Sequence, residues 1–428
     1  MILYGMRQVG KTWAMKKFGE EQYKHTAYIN FDHNFQAQRI FAQDLRVERI
    51  LHDLAIETRV PLDPAQTLIV FDEVQECPGA LTSLKYFYEE APEYHVIAAG
   101  SLLGVAQHEG TGFPIGKVDV LTLYPLTFQE FLSALDEDGL VKLIKTKDFP
   151  GIAVFSSKLV MRLKQFFYIG GMPEAVAIYQ ETQDLNRVRK VQENLLLAYY
   201  GDFSKHIPAR EIPKVRLIWD SLPAQLGKEN KRFLYSTMKQ GSKGRNYEIA
   251  LEWLKNAGLI HQIKRVSQPC LPLSGYQQNN IFKVYAPDIG LLSARAGLEL
   301  ISYIDADEKV FHHFKGSLAE QFVLQELRAA TPNLPIYYWA NDKNTAEIDF
   351  VVQLRETIIP IEVKSGENVR GSSLKTYMST FEPPIAARTS LLDYGKKGTL
   401  HNIPLYMMSE FAEIVGNEMM KAEGAAIH

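Results

Sequence analysis

The sequence is poor in cysteine, in long apolar runs and in net charge, and each shortage excludes a class of protein. Its two cysteines, Cys77 and Cys270, stand far apart, so they form neither a disulfide framework nor a Cys-x-x-Cys metal site. This favours a reducing, cytoplasmic location. No apolar run reaches the ~18 residues that a transmembrane helix needs, and no signal-peptide pattern opens the chain, so we expect no membrane association. The formal net charge of −3 indicates neither an acidic tail nor a globally basic protein.

The start of the chain carries a complete phosphate-binding (Walker A) motif. The pattern G-x-x-x-x-G-K-[ST] is satisfied by Gly5, Met6, Arg7, Gln8, Val9, Gly10, Lys11 and Thr12. An apolar strand precedes this loop and a helix follows it, and this setting is required because backbone N–H groups and the helix N-terminus hold the phosphates. Lys11 is predicted to bridge the β- and γ-phosphates of ATP, and the Thr12 hydroxyl to ligate Mg²⁺. The alternative, a chance glycine loop with a surface lysine, is disfavoured by the complete match.

A second strand pattern, Thr67 to Glu73 (TLIVFDE), is apolar until it ends in two carboxylates. Such strands are typical of a parallel sheet covered on both faces, where ligands bind beyond the carboxyl ends of the strands. Asp72 is predicted to hold Mg²⁺ through water (Walker B), and Glu73 to orient and polarise the attacking water. Ser101, at the end of the next strand pattern, is predicted either to sense the γ-phosphate or to cap the following turn. Together the motifs predict an ATP- and Mg²⁺-dependent hydrolase.

Residues 1–135 alternate strand and helix patterns, which predicts an α/β fold and a P-loop ATPase core over that range. Strand patterns lie at 25–32, 67–73, 94–101 and 117–124, and helix patterns at 36–58, 80–90 and 126–135. Residues 104–116 are glycine-rich and predict a loop. Because a strand pattern begins almost at residue 1, the sequence leaves open whether residues precede Met1.

Several segments together resemble a large prokaryotic family of AAA-type ATPases. They are YGMRQVGKT, INFD, IVFDEVQ, AAGSLLG and GKVDVLTLYPLTFQEFL in the first third, and YIGGMPEAV, LEWLKNAGLI, FKVYAPDIGLL and GSLAEQFVLQEL later. The resemblance covers nearly the whole chain. It implies an ATP-hydrolysing AAA core and a C-terminal domain of unknown function with restriction-endonuclease-like character. Relatives often carry arginine where this chain has Lys117, and lysine lacks the planar fork of arginine, so activation between subunits of a homo-oligomer stays open.

The middle of the chain is predicted to hold a helical lid and a basic module. Helix patterns at 157–179 and 185–200 predict the lid over residues 136–200. Residues 201–270 contain thirteen Lys or Arg against six Asp or Glu, a net charge of +7. A helix pattern at 246–257, then a glycine and a strand, resembles a winged helix, so a winged-helix-like module is predicted over 201–297. Its basic side chains, which either contact nucleic-acid phosphates or form a solvated face, include Lys228, Lys231, Arg232, Lys239, Lys243 and Arg245.

A last domain, predicted over 298–428, carries a second set of chemical residues. A helix pattern and two strand patterns carry Glu320, Asp349, Glu362 and Lys364. Residues two apart on a strand share a face, and Asp followed by Glu-x-Lys on a paired strand is the layout of PD-(D/E)xK nucleases, here with Ile348 in place of proline. In that layout the carboxylates hold Mg²⁺ and the lysine orients the attacking water. The alternative is a structural ion-pair cluster in an inactive nuclease fold.

Two functions of different class follow from these patterns. In the first, the protein is an ATPase whose C-terminal nuclease-like domain acts on DNA or RNA. In the second, it is a nucleotide-dependent regulatory or binding module with an inactive nuclease-like domain. The intact Glu73 favours ATP turnover, whereas Lys117 favours the second function.

Overall fold

The computed structural model of the protein describes residues 1–101, 113–114, 116–228, 231–237, 244–298, 309–341, 343, 345–366 and 371–426. Most of the predicted loop at 104–116, together with Lys239, Lys243 and the side chain of Arg245, lies outside the described residues. The chain divides into two compact units, one of residues 1–124 and 252–259 and the other of residues 125–251 and 260–428. None of the helices within the described ranges has the length and apolar composition needed to cross a bilayer.

The first unit contains a five-stranded parallel sheet with helices between its strands. Its elements are β1 (Ile2–Tyr4), α1 (Lys11–Gln22), β2 (His25–Asn30), α2 (Phe35–Gln43), α3 (Val47–Thr58), β3 (Thr67–Asp72), α4 (Pro78–Glu90), β4 (His95–Ala99) and β5 (Val120–Thr122). The strand order is β2-β3-β4-β1-β5, and every neighbouring pair runs parallel. Every residue of β3 is buried, as a sheet covered on both faces requires. This topology confirms the predicted α/β core.

The single helix predicted over 36–58 is wrong, because the segment forms two helices. Asp44 ends α2 in an extended conformation, and its carboxylate accepts hydrogen bonds from Arg46 N (3.1 Å) and Arg49 Nε (2.9 Å). A short acidic side chain that bonds the backbone two residues ahead competes with helix continuation. The strand predicted over 117–124 is also too long. It is reduced to the three residues of β5 at the edge of the sheet, where Val120 and Leu121 are exposed.

Aromatic packing fixes the strand that ends in Asp72. The ring of Phe71 on β3 contacts the rings of Phe31, Phe41 and Phe87, with centroids 5.4–6.3 Å apart and planes steeply inclined. Edge-to-face aromatic pairs of this kind contribute beyond the apolar area that they bury. The carboxyl end of β3 is therefore anchored from its apolar side, which holds the following acidic residues in a defined place.

The second unit begins with helices and continues into a mixed sheet. Its helices are α5 (Phe128–Ala134), α6 (Asp138–Thr146), α7 (Phe149–Val154), α8 (Ser156–Ile169), α9 (Pro173–Thr182), α10 (Leu185–His206), α11 (Ile212–Leu226), α12 (Glu248–Asn256, whose last turns belong to the first unit), α13 (Ile289–Arg295), α14 (Lys309–Ala330), α15 (Ser373–Phe381) and α16 (Phe411–Ala426). Its strands are β6 (His261–Val266), β7 (Gln277–Tyr285), β8 (Ile336–Ala340), β9 (Glu347–Leu354), β10 (Thr357–Val363), β11 (Ala386–Ser390), β12 (Gly395–Lys397) and β13 (Leu400–Pro404). The eight strands form one sheet in the order β12-β13-β11-β10-β9-β8-β6-β7.

This sheet corrects the predicted boundary at residue 297. The strands of the predicted winged-helix-like module, β6 and β7, pair with each other, and β6 also pairs in parallel with β8 of the predicted nuclease-like domain. The module is therefore not a separate domain, because its strands extend the sheet that carries Asp349 and Glu362. The predicted helical lid at 136–200 and residues 125–135 also belong to this unit.

Buried polar contacts connect the helices of the second unit to one another. The carboxylate of Glu326 on α14 accepts a hydrogen bond from Phe128 N at 2.9 Å, and burial raises the pKa of Glu326 to about 8. The carboxylate of Asp288 accepts hydrogen bonds from Gly171 N at 2.7 Å and from Leu291 N at 2.9 Å. These carboxylates accept hydrogen bonds from backbone N–H groups that are buried away from water. The bonds connect helices that are far apart in sequence within one hydrophobic core.

Candidate nucleotide-binding site and charged cluster

The loop between β1 and α1 has the backbone that a phosphate cradle requires. Gly5 has φ +147°, and a Cβ at that position would lie 2.5 Å from the carbonyl oxygen of Leu123, so only glycine fits. Gly10 has φ 96° and immediately precedes the first turn of α1. Arg7 and Gln8 are exposed on the loop, whereas Val9 is buried beneath it. The N–H groups of the loop and of the helix N-terminus therefore present partial positive charge on one side.

Lys11 lies at the start of α1 and is almost fully buried, with 6% of its surface exposed. Its ammonium group donates hydrogen bonds to the carbonyl oxygens of Gly5 and Met6, both at 2.8 Å. Burial lowers the pKa of Lys11 to about 8, against the opposing effect of the Glu73 and Asp72 carboxylates. The group is thus mostly charged at neutral pH, and phosphate oxygens at the loop would compete with the two carbonyls for its protons.

Thr12 and Asp72, predicted to serve the same metal ion, are in direct contact. The Thr12 hydroxyl donates a hydrogen bond to Asp72 Oδ2 at 2.6 Å, and Asp72 Oδ1 accepts one from Glu73 N at 3.0 Å. A hydroxyl and a carboxylate oxygen are the hard ligands that Mg²⁺ prefers, so this pair fits the ion that a nucleoside triphosphate carries.

Tyr28 is a site residue that the sequence reading missed. Its hydroxyl donates to the same Asp72 Oδ2 at 2.8 Å, and burial followed by the Asp72 carboxylate raises the pKa of Tyr28 above its usual value. Tyr28 lies on β2, which pairs in parallel register with β3. The sequence predicted both strands, but only the structure shows that they are neighbours and that Tyr28 contacts Asp72.

Glu73 follows β3 in a left-handed conformation with φ 50°, which is uncommon for a residue other than glycine. Its Oε2 accepts hydrogen bonds from Gln75 Nε2 at 2.6 Å and from Ser101 Oγ at 3.3 Å. The turn that Ser101 would alternatively cap lies outside the described residues. Strained conformations occur at functional sites more than elsewhere. The contact brings together Glu73, predicted to orient the attacking water, and Ser101, predicted either to sense the γ-phosphate or to cap a turn.

Lys117, at the position where the sequence resemblance implies an arginine, has partners within its own unit. Its ammonium group lies 3.2 Å from Glu89 Oε1 and 5.0 Å from the centre of the Tyr88 ring. The side chains of Lys117 and Glu89 are each 37% exposed, so the ion pair is partly solvated. Such a pair contributes at most about 1 kcal/mol to stability, so breaking it to move the Lys117 side chain costs little free energy.

In the second unit, the four predicted residues of the C-terminal domain come together. Asp349 Oδ2 accepts a hydrogen bond from Val363 N at 2.7 Å, and Lys364 Nζ donates to Glu362 Oε1 at 2.6 Å. Glu320, from α14, shares a carboxyl–carboxylate hydrogen bond with Asp349 and accepts a further bond from the Tyr285 hydroxyl at 3.2 Å. Asp349 and Glu362 therefore lie in one cluster.

Two lysines that were not predicted as members complete this charged cluster. Lys231 forms an ion pair with Glu320, and Lys283 on β7 lies 2.6 Å from Glu347 Oε1 and 3.8 Å from Glu320 Oε2. Lys283 is fully buried, and the side chain of Lys231 is 12% exposed. The prediction that Lys231 contacts nucleic acid or solvent is therefore wrong, because its ammonium group forms a buried ion pair with Glu320.

The protonation of the cluster follows from these partners. Burial and then the neighbouring carboxylates of Glu320 and Glu362 raise the pKa of Asp349 well above its usual value. Burial also opposes the ionisation of Glu320, but the ammonium groups of Lys231 and Lys283 outweigh it and lower the pKa of Glu320 to about 2. Asp349 is thus the proton donor in the shared bond. Over the described ranges, no group of three or more His, Cys, Asp and Glu side chains is arranged to hold a metal ion.

Comparison with protein families divides the chain into three matched segments. Residues 1–132 match the model of an AAA domain, residues 161–301 match a domain of unknown function (DUF8612), and residues 315–407 match another (DUF4143). The first match covers both nucleotide motifs and the parallel sheet. Residues 1–132 form an AAA-type P-loop ATPase domain. A comparison with curated proteins gave no match.

Solved structures similar to the chain resemble it only distantly. The Aeropyrum pernix ORC1 protein, solved in complex with DNA, is 12% identical over 71% of this chain and 88% of its own, with a TM-score of 0.25. Cdc6p from Pyrobaculum aerophilum is 12% identical over 69% and 85%, with a TM-score of 0.24. The ADP form of the Aeropyrum pernix ORC2 protein is 12% identical over 75% and 88%, with a TM-score of 0.27. The assignment of the AAA domain therefore rests on the family match and on its site.

Proposed function

We propose that the AAA domain binds ATP with Mg²⁺ and hydrolyses it. The observation that carries this proposal is the convergence of Lys11, Thr12, Asp72, Glu73 and Ser101 at one edge of the parallel sheet. The residues come from three separate segments, and the topology brings them together where nucleotides bind in α/β folds. A chance glycine loop would not bring a Walker B carboxylate into hydrogen-bond contact with the threonine of the loop.

Each residue has a defined part in this proposal. Lys11 and the loop N–H groups hold the β- and γ-phosphates, while Thr12 and Asp72 hold the metal ion, Asp72 through a water molecule. The bound Mg²⁺ would neutralise negative charge on the phosphate oxygens. Glu73 accepts a proton from the attacking water or orients it, and its bonds from Gln75 and Ser101 fix the carboxylate. In this proposal Ser101 senses the γ-phosphate through its hydrogen bond to Glu73.

The test is the release of phosphate from ATP with Mg²⁺ present and after its removal with EDTA. We expect turnover that EDTA abolishes, because without Mg²⁺ the negative charge of the triphosphate lies beside the Asp72 and Glu73 carboxylates and is only partly offset by Lys11. Absence of hydrolysis with Mg²⁺ under all conditions, including added DNA or RNA, would contradict the proposal.

We further propose DNA or RNA as the partner, on the net charge of +7 over residues 201–270. The contacting residues would exclude Lys231, which is paired within the charged cluster. Binding should weaken steeply with added salt, with a log–log slope of roughly −0.9 per phosphate contact on duplex DNA.

We also propose that the AAA domain forms a homo-oligomer. In it, the Lys117 ammonium group would leave Glu89 and contact the nucleotide of a neighbouring subunit.

For the C-terminal domain we propose a PD-(D/E)xK nuclease-like fold whose charged cluster stabilises the structure and does not cleave. Two observations support this reading over a cleavage site. Lys231 and Lys283 lie against Glu320, one of the carboxylates that a divalent cation would need, and the proton between Asp349 and Glu320 removes a further negative charge. A metal ion would have to displace both a lysine and this proton, which a buried site resists.

Asp349→Ala is expected to lower the melting temperature, and no cleavage of DNA or RNA is expected from wild type with Mg²⁺ or Mn²⁺. The substitution removes the acceptor of Val363 N and the proton donor of Glu320, and a buried group left unsatisfied costs about 1–3 kcal/mol. Thermal denaturation and nuclease assays measure the two results.

Glu356→Ala, in the exposed turn between β9 and β10, is the matched control and should leave the melting temperature unchanged. Cleavage by wild type that both Asp349→Ala and Glu320→Gln abolish would establish a catalytic site in place of the structural cluster.

A further inference from the structure

The Asp72 carboxylate at the end of β3 accepts three hydrogen bonds although Asp72 is only 1% exposed. Its Oδ2 accepts from the Thr12 hydroxyl at 2.6 Å and from the Tyr28 hydroxyl at 2.8 Å, and its Oδ1 accepts from Glu73 N at 3.0 Å. An ionised carboxylate has about four acceptor positions. In the part of the chain that the structure describes, both positions on Oδ2 are therefore filled, and one on Oδ1 remains for a further donor.

Tyr28 is the member of this set to which the ATPase mechanism above gives no part. It lies on β2, where Asn30 pairs in parallel register with Asp72. Side chains two residues apart on a strand point to the same face, so Tyr28, Asn30 and Asp72 share one face of the sheet. The strand pairing thus brings the Tyr28 hydroxyl to the carboxylate independently of the phosphate loop.

Two neighbours hold Tyr28 itself in place. The ammonium group of Lys16 lies 4.1 Å from the centre of the Tyr28 ring, within the range of a cation–π contact. The side-chain amide of Asn30 hydrogen-bonds to the Tyr28 hydroxyl, and Asn30 Oδ1 accepts from Asp32 N at 2.7 Å. Since that oxygen is occupied, the amide donates to Tyr28 through its NH₂ group, which directs the hydroxyl hydrogen of Tyr28 toward Asp72.

The orientation of the Asp72 carboxylate depends on these donors. The last side-chain torsion of aspartate has a broad energy minimum, so rotamer preference alone does not fix the plane of its oxygens. The direction of the remaining acceptor position decides whether a water ligand of Mg²⁺ can donate to it with good geometry. Groups that orient such a carboxylate from behind typically change metal affinity by about 10–100-fold when they are removed.

We propose that Tyr28 is a positioning residue that sets the Mg²⁺ affinity of the nucleotide site by fixing the plane of the Asp72 carboxylate. Tyr28 acts through Asp72 and contacts neither the phosphates nor the metal ion. The inference rests on the proposed function, because it assigns Tyr28 to the same site. A purely structural hydrogen bond between β2 and β3 is the alternative, and it would affect stability without affecting the metal.

The test measures binding of the non-hydrolysable ATP analogue AMP-PNP by calorimetry, first in EDTA and then over a series of Mg²⁺ concentrations. Tyr28→Phe removes the hydroxyl and keeps the ring that Lys16 contacts. We expect this variant to bind the analogue in EDTA as wild type does, and to need at least about tenfold more Mg²⁺ for the half-maximal gain in affinity. Binding of Mg²⁺ to the analogue in solution is the same for both proteins and cancels in their ratio.

Tyr23→Phe is the matched control, because the Tyr23 hydroxyl is likewise hydrogen-bonded, to His95 Nδ1 at 2.8 Å. This variant should keep the wild-type Mg²⁺ midpoint, even where its melting temperature falls as far as that of Tyr28→Phe. A second variant, Lys16→Ala, changes an exposed side chain and should leave the fold intact. It should raise the midpoint about two- to fivefold, the size of an exposed cation–π contact, whereas Lys17→Ala should not.

A wild-type Mg²⁺ midpoint in Tyr28→Phe, with or without a lower melting temperature, overturns the inference and leaves the proposed function standing. If Tyr28→Phe does not fold by circular dichroism, an unchanged midpoint in Lys16→Ala overturns it instead. Failure of wild type to bind the analogue both in EDTA and with Mg²⁺ contradicts the proposed function itself, and the inference falls with it.

Discussion

Lys11→Ala is expected to abolish ATP binding, as measured by isothermal calorimetry, while circular dichroism shows the fold retained. The ammonium group of Lys11 is the buried charge of the predicted phosphate loop, and it donates hydrogen bonds to the carbonyl oxygens of Gly5 and Met6. Hydrogen bonds to charged groups contribute about 1.5–3 kcal/mol each, so the loss of two or more removes most of the phosphate affinity. The backbone pairing of β1 with β4 and β5 does not involve the Lys11 side chain, so we expect the sheet to persist.

Lys17→Ala provides the matched control, because Lys17 lies on the same helix with 47% of its side chain exposed and forms a surface ion pair with Glu21. Its removal should leave ATP affinity unchanged, since exposed ion pairs of this spacing contribute about 0.3–0.5 kcal/mol to stability. Wild-type affinity in the Lys11 variant would show that the nucleotide binds elsewhere.

Glu73→Gln is expected to bind ATP normally and to lose about 10²–10⁴ in the rate of hydrolysis, the usual contribution of a positioned general base. Glutamine keeps an oxygen that can accept the bonds from Gln75 and Ser101, so the geometry persists while the negative charge is lost. Single-turnover phosphate release and calorimetry together separate turnover from binding.

The matched control for this second variant is Glu90→Gln at the exposed end of α4, which should hydrolyse ATP at the wild-type rate. If Glu73→Gln keeps its full rate, the water is activated by another group. If it loses affinity together with rate, Glu73 holds the nucleotide and does not act on the water.

The proposed nucleotide site could be predicted from the sequence because its motifs are local. The proposed phosphate contacts lie in a loop of eight consecutive residues, and the two acidic residues are adjacent at the end of one strand. Tyr28 could not be found in this way, because it lies 44 residues from Asp72 in sequence and their contact depends on the register between two strands. The break at Asp44 was also missed, since apolar spacing continues across it and only the side-chain bonds of Asp44 reveal it.

For the charged cluster, the sequence predicted some of the members but not the protonation state or the ion pairs that they form. Its acidic residues and Lys364 follow a known spacing, and the structure does bring them together. What decides their chemistry is the pair of lysines from elsewhere in the chain, Lys231 and Lys283, and no local pattern placed them there. Lys231 belongs to a basic stretch that the sequence analysis interpreted either as a nucleic-acid contact or as a solvated face. Only the tertiary structure shows its ion pair with Glu320.

The pairing of β6 with β8 has a consequence for the exchange of segments between related proteins. The two segments of unknown function, 161–301 and 315–407, contribute strands to one sheet, so neither is complete without the other. Exchange of one segment for that of a distant relative would remove the Glu347 partner of the buried Lys283 unless the new segment also carried an acidic residue there, and it would disturb the pairing of β6 with β8. We therefore expect a chimera of this kind to be less stable than the parent protein.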